Sequence, residues 1–322
     1  MKHPALIDLH CDTLTHGAPQ EDTLDDPRCA LTLTRLPQGL RWAQFYAVFL
    51  PDEVRGAAAV AYYERYRDSF YRQMVRFSAH AVPCRSAAEM ERAWADGKTA
   101  AFLSVENGSV LAGDPARAAA LASDGVCAVT LTWNGENELG SGSATDHGLT
   151  PCGREAVCAL ERAGILVDAS HLNDRGLAEL LEVAERPFLA THSNARACCA
   201  HPRNLPDDAI RALVRRGCLI GLNYCADFLR EDGVVQSLDV LYRHAAHFLE
   251  LGGAANLALG SDFDGAVVPD CLSTPDRAAS FYEYLLARGV AQETADGVFF
   301  RNAQTFLRKN LRVGERDFAR GD

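Results

Sequence analysis

The sequence predicts an α/β fold of the (β/α)8 barrel class. Three observations predict it: eight short apolar runs of similar length, helix-forming segments between them, and a chain of 322 residues, somewhat longer than a minimal barrel. Most of the runs are continuously apolar. That pattern belongs to parallel strands covered on both faces rather than to a half-exposed sheet.

The first run, ALIDLHCD (residues 5–12), ends on His10 and Asp12. WAQFYAVFL (42–50) is the second, followed by helical patterns at 58–77 and 87–95. AFLSVEN (101–107) ends on Glu106, and VCAVTLTW (126–133) ends on Trp133 before a helix at 154–163. ILVDASH (165–171) brings His171 and precedes a helix at 174–184. FLATHS (188–193) brings His192 and precedes a helix at 207–214. CLIGLNY (218–224) ends on Tyr224 before a helix at 238–251, and LALGSDFDG (257–265) carries Asp262 and Asp264. From about residue 275 the chain reads as helical, with RNAQTFLRKNL as its last helix on the barrel exterior. Without a composition break or fixed-period repeat, residues 1–322 read as a single domain.

Composition narrows the function. A net charge of −11 with no long basic run argues against nucleic acid or an anionic membrane as partner. No run approaches the roughly 20 apolar residues of a membrane span. The start, MKHPALIDLHCD, has no leader-like apolar stretch, and the end, ERDFARGD, is too polar for a lipid-anchor signal. Eleven cysteines, an odd number in a large domain, suit reduced thiols in a cytoplasm better than a disulfide framework. The Cys198–Cys199 pair has no partner pair with zinc-ribbon spacing.

His10, Asp12, Glu106, His171 and His192 all fall at or just past strand ends, where barrels of this class build their sites. Three imidazoles and two carboxylates are a donor set that zinc accepts. Residues two apart on a strand point to the same side, so His10 and Asp12 can share an ion. Two ions about 3.5 to 4 Å apart, sharing a carboxylate, would use all five residues. Coordination lowers the pKa of water from about 15.7 to about 7, which makes hydroxide available at neutral pH to attack a carbonyl. Each residue alone also has a bland reading, as an ordinary strand end; the register of all five argues for metal.

These motifs resemble the membrane (renal) dipeptidase family of zinc metallopeptidases. The likeness lies in HxD after the first strand, ENG after the third, SH after the fifth, THSNARACCAHPRN after the sixth and GSDFDG after the eighth, with RNAQTFLR in the tail. It covers nearly the whole chain. The resemblance implies a (β/α)8 barrel with two zinc ions that hydrolyses dipeptides, often with a D-residue at the C-terminal position. His10 and Asp12 would hold one ion, His171 and His192 the other, and Glu106 would bridge. Asp262 would carry the proton to the leaving amine, with Asp264 as a nearby alternative. Arg203 would bind the terminal carboxylate of the dipeptide through its two-pronged guanidinium. Arg196, Arg211 and His201 read instead as structural residues. A homodimer is implied by the same resemblance.

Two positions depart from the family pattern. Trp133 stands where many members carry a His after the fourth strand; an indole N–H donates one hydrogen bond but cannot titrate. His147 lies in the following loop and reads as a solvated residue. After the seventh strand, Phe228 falls near a substrate-contacting Tyr of some members, and Tyr224 could supply a hydroxyl instead. Substrate range is where these departures matter. The leading expectation is a cytoplasmic dizinc dipeptidase, plausibly for L-Xaa–D-Xaa dipeptides. The runner-up is an amide or lactone hydrolase of the wider amidohydrolase type, and a third reading is a non-catalytic binding protein.

Overall fold

Eight parallel strands close on themselves in a computed structural model that describes residues 5–34, 36 and 39–311. The first four residues and the terminal ERDFARGD lie outside the described residues, so the leader and lipid-anchor readings are not addressed. The strands are β1 (Leu6–Cys11), β2 (Trp42–Phe49), β3 (Ala81–Pro83), β4 (Thr99–Glu106), β5 (Val126–Thr130), β6 (Leu166–Asp168), β7 (Leu189–Ala190), β8 (Leu219–Leu222) and β9 (Leu257–Leu259). The barrel runs β1-β2-β4-β5-β6-β7-β8-β9 and returns to β1, where Asp8 pairs with Leu259. Strand β3 is a ninth strand that the apolar runs did not predict. It borders the first residues of β4, and β5 borders the last. At three residues it is too short to give a periodic signal.

Nearly every strand residue is buried, as the continuous apolar runs require. The helices follow the predicted positions within a few residues: Gly56–Arg76, Ala87–Ala95, Pro151–Arg162, Asp174–Val183, Asp207–Arg216 and Asp239–Glu250. Local chemistry sets their ends. Ser86, Thr150 and Asn173 each accept a backbone N–H of the first turn. Helix Asp207–Arg216 starts on two acidic residues, finishes on two basic ones and stops at Gly217 in the left-handed region. Helices Ala118–Ser123 and Ala226–Leu229 are additional and short. The tail is helical from Pro275, as predicted, and Asn302 ties it to the barrel by donating to the carbonyl of Leu257. Buried apolar residues from Ala5 to Leu311 form one contiguous core.

Strands β6, β7 and β9 are shorter than their apolar runs. Buried carboxylates take backbone N–H groups there: Asp168 accepts from Ser170 and Thr191 after β6 and β7, and Asp8 from Ser261 after β9. Beyond those points the backbone turns inward, and His171 and Asp262 adopt positive φ values of 72° and 62°.

Candidate metal and active site

Glu106 is the centre of the site. Its Oε1 lies 2.7 Å from His171 Nε2 and 3.7 Å from His192 Nε2, while Oε2 lies 3.4 Å from His10 Nε2. His10 Nε2 is also 3.4 Å from Asp12 Oδ2 and 3.9 Å from Asp262 Oδ1. The His10 and His192 rings stack at 4.0 Å. One carboxylate therefore faces two groups of candidate ligands, His171 with His192 and His10 with Asp12. All of these side chains are buried.

Neighbouring side chains support them. His171 Nδ1–H donates to Asn134 Oδ1 at 2.9 Å. His192 Nδ1–H donates to Thr191 Oγ1 at 2.7 Å, and Thr191 in turn donates to Asp168 Oδ2 at 2.7 Å. Thr130 Oγ1 completes the shell of Asp168 at 2.6 Å. These bonds fix the tautomers, so the Nε2 lone pairs of His171 and His192 face each other 3.0 Å apart. Two lone pairs at that separation, beside a carboxylate, repel unless a cation lies between them. On the other side, Asp8 accepts from Ser261 N and Oγ, fastening β1 to the loop that carries Asp262. Asn223 Nδ2 donates to Asp262 Oδ2 at 3.0 Å.

Electrostatics agrees with a cation site. Burial disfavours a charged His10, yet Glu106 and Asp12 outweigh it and hold the imidazole well above its usual range. Burial, and then repulsion from Glu106, push the Asp12 carboxyl up to about 7 against the pull of His10. Burial, with His10, His171 and Arg203, holds His192 well below its usual range; burial and Arg203 lower His171. Two carboxylates thus demand positive charge while two neutral imidazoles offer lone pairs. His10 Nε2 and Asp12 Oδ1 are buried with no hydrogen-bond partner, as ligand atoms of an ion would be. The donor set of nitrogen and oxygen fits zinc.

A cavity of about 370 Å³ opens onto the cluster, lined by Asp12, Phe49, Glu106, Trp133, His171, Phe228, Asp262 and neighbouring residues. Gly265 is required there: a Cβ would sit 1.9 Å from Asp12 Oδ2 and 2.9 Å from Asp262 Oδ1.

The structure brings His10, Asp12, Glu106, His171, His192 and Asp262 together. Trp133 and Phe228 line the cavity, Trp133 edge-on to Phe49 at 5.0 Å. Arg203 is buried against Phe228, outside the cavity lining; its Nη2 donates to the His192 carbonyl, its guanidinium lies over the Phe228 ring at 5.4 Å, and its Nε has no partner. Tyr224 lies behind the wall, buried edge-on against Phe263 at 5.8 Å, outside the cavity lining. Asp264 also lines the cavity, but its carboxylate already accepts from Thr13 Oγ1 and Ala30 N. His147 is exposed and paired with Glu136. Arg196 braces its loop on Asp174 and the Asn204 carbonyl, and His201 Nδ1 accepts from Arg203 N.

Sequence reasoning passed over Asp8, Asp168, Asn134 and Asn223. Asp8 and Asp168 did leave a signal, since a carboxylate inside a continuously apolar strand has to find donors. Asn134 and Asn223 left none; their partners lie 37 and 39 residues away.

A closed parallel barrel with a histidine–carboxylate cluster at its C-terminal mouth defines a metal-dependent hydrolase. More narrowly, the chain matches the membrane dipeptidase family (peptidase family M19) over residues 1–317 and belongs to it. It is therefore a metallopeptidase-family enzyme that hydrolyses peptide bonds. A Klebsiella pneumoniae relative, known as the uncharacterized protein in the pqqA 5′ region, is 32% identical over 243 residues, 72% of this chain and 90% of that protein. The dipeptidase tcpJ of Claviceps purpurea is 28% identical over 295 residues, 86% of this chain and 68% of that one. Among solved structures, a Rhodobacter sphaeroides metallopeptidase liganded with a phosphinate mimic of L-Ala-D-Ala superposes with a TM-score of 0.90. It is 23% identical and covers 96% of this chain and 100% of its own. Among the described residues no helix is long and apolar enough to cross a membrane. None of the eleven cysteines, all described, is in a disulfide.

Proposed function

We propose that this chain is a dizinc dipeptidase acting on free dipeptides, with L-Xaa–D-Xaa substrates preferred. The observation that carries the reading is Glu106, whose two oxygens face His171 and His192 on one side and His10 on the other. His10 and Asp12 would hold one ion, His171 and His192 the second, with Glu106 shared. When bound, such a pair of ions polarises a carbonyl and acidifies a water.

The chain's own residues do the rest. Asp262 is held by Asn223 through Oδ2, which leaves Oδ1 toward the cluster, 3.9 Å from His10 Nε2. In that position it takes a proton from the attacking water and returns it to the leaving amine. Arg203, buried with an unpartnered Nε, accepts the terminal carboxylate of the dipeptide beside Phe228. Trp133 closes the cavity wall and offers one N–H to the substrate. The L,D preference is supported by the dipeptide mimic bound to the Rhodobacter relative. Unpaired cysteines support a cytoplasmic location, and the acidic net charge supports a small molecule rather than nucleic acid as partner. A homodimer remains part of the proposal.

The test is turnover of a stereochemically varied dipeptide library, with matched C-terminal amides and tripeptides, by the metal-loaded protein. Free dipeptides are expected to be cleaved and both other sets rejected. Arg203→Ala should raise KM for dipeptides and narrow the gap between acid and amide, because truncating one partner of a buried charge pair costs roughly 2 to 5 kcal/mol. Equal kcat/KM for a dipeptide and its amide would make Arg203 structural. Trp133, where many family members carry a His, favours the second reading in that case, an amide or lactone hydrolase.

A further inference from the structure

A separate set of metal-ligating side chains converges beside the cavity. His16 and Cys29 lie on the long connection between β1 and β2, and Asp264 on the loop after β9. A ring nitrogen of His16, Cys29 Sγ and an Asp264 carboxylate oxygen all lie within 4.8 Å of one another. Zinc bonds of roughly 2.0 to 2.3 Å at tetrahedral angles need ligand atoms about 3.5 Å apart, closer than the 4.8 Å within which these three lie, so binding draws the side chains together. His16 is exposed, with its Nδ1 3.5 Å from the Asp264 carbonyl oxygen, and its ring can turn toward the other two.

The other two ligands are held in place. The Asp264 carboxylate accepts from Thr13 Oγ1 at 2.5 Å and from Ala30 N at 2.6 Å, which occupies two of its roughly four acceptor positions. Its backbone sits at φ 67°, a left-handed conformation that a non-glycine residue keeps only when its surroundings enforce it. Cys29 is buried. Glu21 and Asp26 add negative charge around it, and Arg28, the neighbouring cation, is already paired with both. Thiolate, imidazole and carboxylate together select a borderline metal over magnesium or calcium.

We propose that His16, Cys29 and Asp264 form a further zinc site at the mouth of the cavity, distinct from the Glu106 cluster, through which excess zinc lowers turnover. Coordination forms a sulfur–metal bond and releases the thiol proton to solvent. His16 and Asp264 line the cavity together with Asp12, Asp262 and Phe228, so an ion there lies in the path of a substrate. It also clamps the β1–β2 connection to the loop after β9. The inhibition rests on the cavity being the dipeptide site proposed above; the additional ion does not.

The experiment equilibrates the full-length, metal-loaded protein with rising Zn²⁺, and in parallel with Co²⁺, reading bound metal, thiolate-to-cobalt charge-transfer absorption and dipeptide turnover. Wild type should take up an additional divalent ion and show the charge-transfer band. Cys29→Ser should lose the band, and His16→Ala should lose the additional ion. In His16→Ala the zinc concentration that halves turnover should rise at least as much as the roughly 10- to 100-fold that loss of an outer-shell partner brings. Should Cys29→Ser fail to fold, His16→Ala decides, because that side chain is exposed. Equal metal content in wild type and His16→Ala overturns the site, as does a cobalt band that survives Cys29→Ser. An additional ion with its band, in a protein that cleaves no dipeptide, supports the site and overturns the free-dipeptide reading instead.

Discussion

Glu106 and Arg203 both lie buried at the C-terminal mouth of the barrel, but they are held there differently. Glu106 ends an eight-residue strand hydrogen-bonded on both edges; of its histidine neighbours, His192 rests through Thr191 on the buried Asp168, and His171 on Asn134 at the cavity wall. Arg203 sits on an irregular loop. That loop is fastened by side-chain bonds to backbone: Arg196 to the Asn204 carbonyl, Asn204 to the carbonyls of Cys199 and Phe228, and His244 between Ala195 N and the Leu229 carbonyl. The floor of the cavity is thus set by the barrel itself, and its rim by a few replaceable contacts. Chemistry needs ligand atoms placed to a fraction of an ångström, which a strand ladder provides. Selection among substrates needs only a wall of the right shape and charge, so Trp133 can stand in the rim without disturbing a single ligand below it.

Removing Glu106 should be the largest perturbation of the floor. Glu106→Ala is expected to reduce hydrolysis to background and to strip much of the bound metal, read by elemental analysis; full metal content in the variant would mean that Glu106 bridges nothing. Asp262→Asn should come next, lowering kcat by about 10² to 10⁴ while metal content stays constant. Turnover like wild type would move proton transfer to Asp264 or to solvent.

The rim has its own weak point at His244. Its Nδ1 accepts from Ala195 N and its Nε2–H donates to the Leu229 carbonyl, so only the neutral ring serves both. Burial lowers its pKa from 6.5 to about 4. The folded state therefore binds a proton less readily than the unfolded chain. The stability this gives is complete above about pH 6.5 and is lost as pH falls toward 4, a difference of about 3 kcal/mol over the window. Urea melts at pH 7.5 and pH 4.5 should show that His244→Gln, which keeps a donor and an acceptor, loses this part of the slope. An unchanged slope would place the acid sensitivity elsewhere.

Smaller effects should separate support from contact. Thr191→Val leaves His192 Nδ1 and Asp168 without their shared hydroxyl, and metal affinity should fall by about 10- to 100-fold; competition with a chelator reads it directly. Phe228→Ala removes a ring from over Arg203, a contact worth roughly 0.5 to 1 kcal/mol, and should change KM by about two- to five-fold with kcat unchanged. A large fall in kcat there would show that floor and rim are coupled.

The contrast between floor and rim is also the contrast between what could and could not be read from residues alone. His10, Asp12, Glu106, His171 and His192 were legible because each follows an apolar run, and the C-terminal ends of barrel strands meet at one mouth. Strand lengths were not legible: the run ILVDASH gives a strand only at Leu166–Asp168, because Asp168 captures backbone N–H groups that the ladder would have used. Tyr224, read as a substrate contact, is buried with its ring edge-on to Phe263, a contact that no local sequence signal marks. Asp262 and Asp264 are two residues apart and alike in side-chain chemistry, and only the family resemblance favoured the first. Thr13 and Ala30 separate them in space by occupying the second carboxylate.

By itself the sequence determined the barrel, the order of its elements and the five strand-end candidate ligands, because apolar runs, helical periods and caps are properties of neighbouring residues. Only the tertiary structure decided how those ligands are aimed. The Asp8 carboxylate that fastens β1 meets Ser261 across 253 residues of sequence, and the guanidinium of Arg203 reaches the His192 carbonyl only because two loops close over one mouth. A hydrogen bond depends on distance and angle between atoms, and for such pairs no spacing along the chain encodes either.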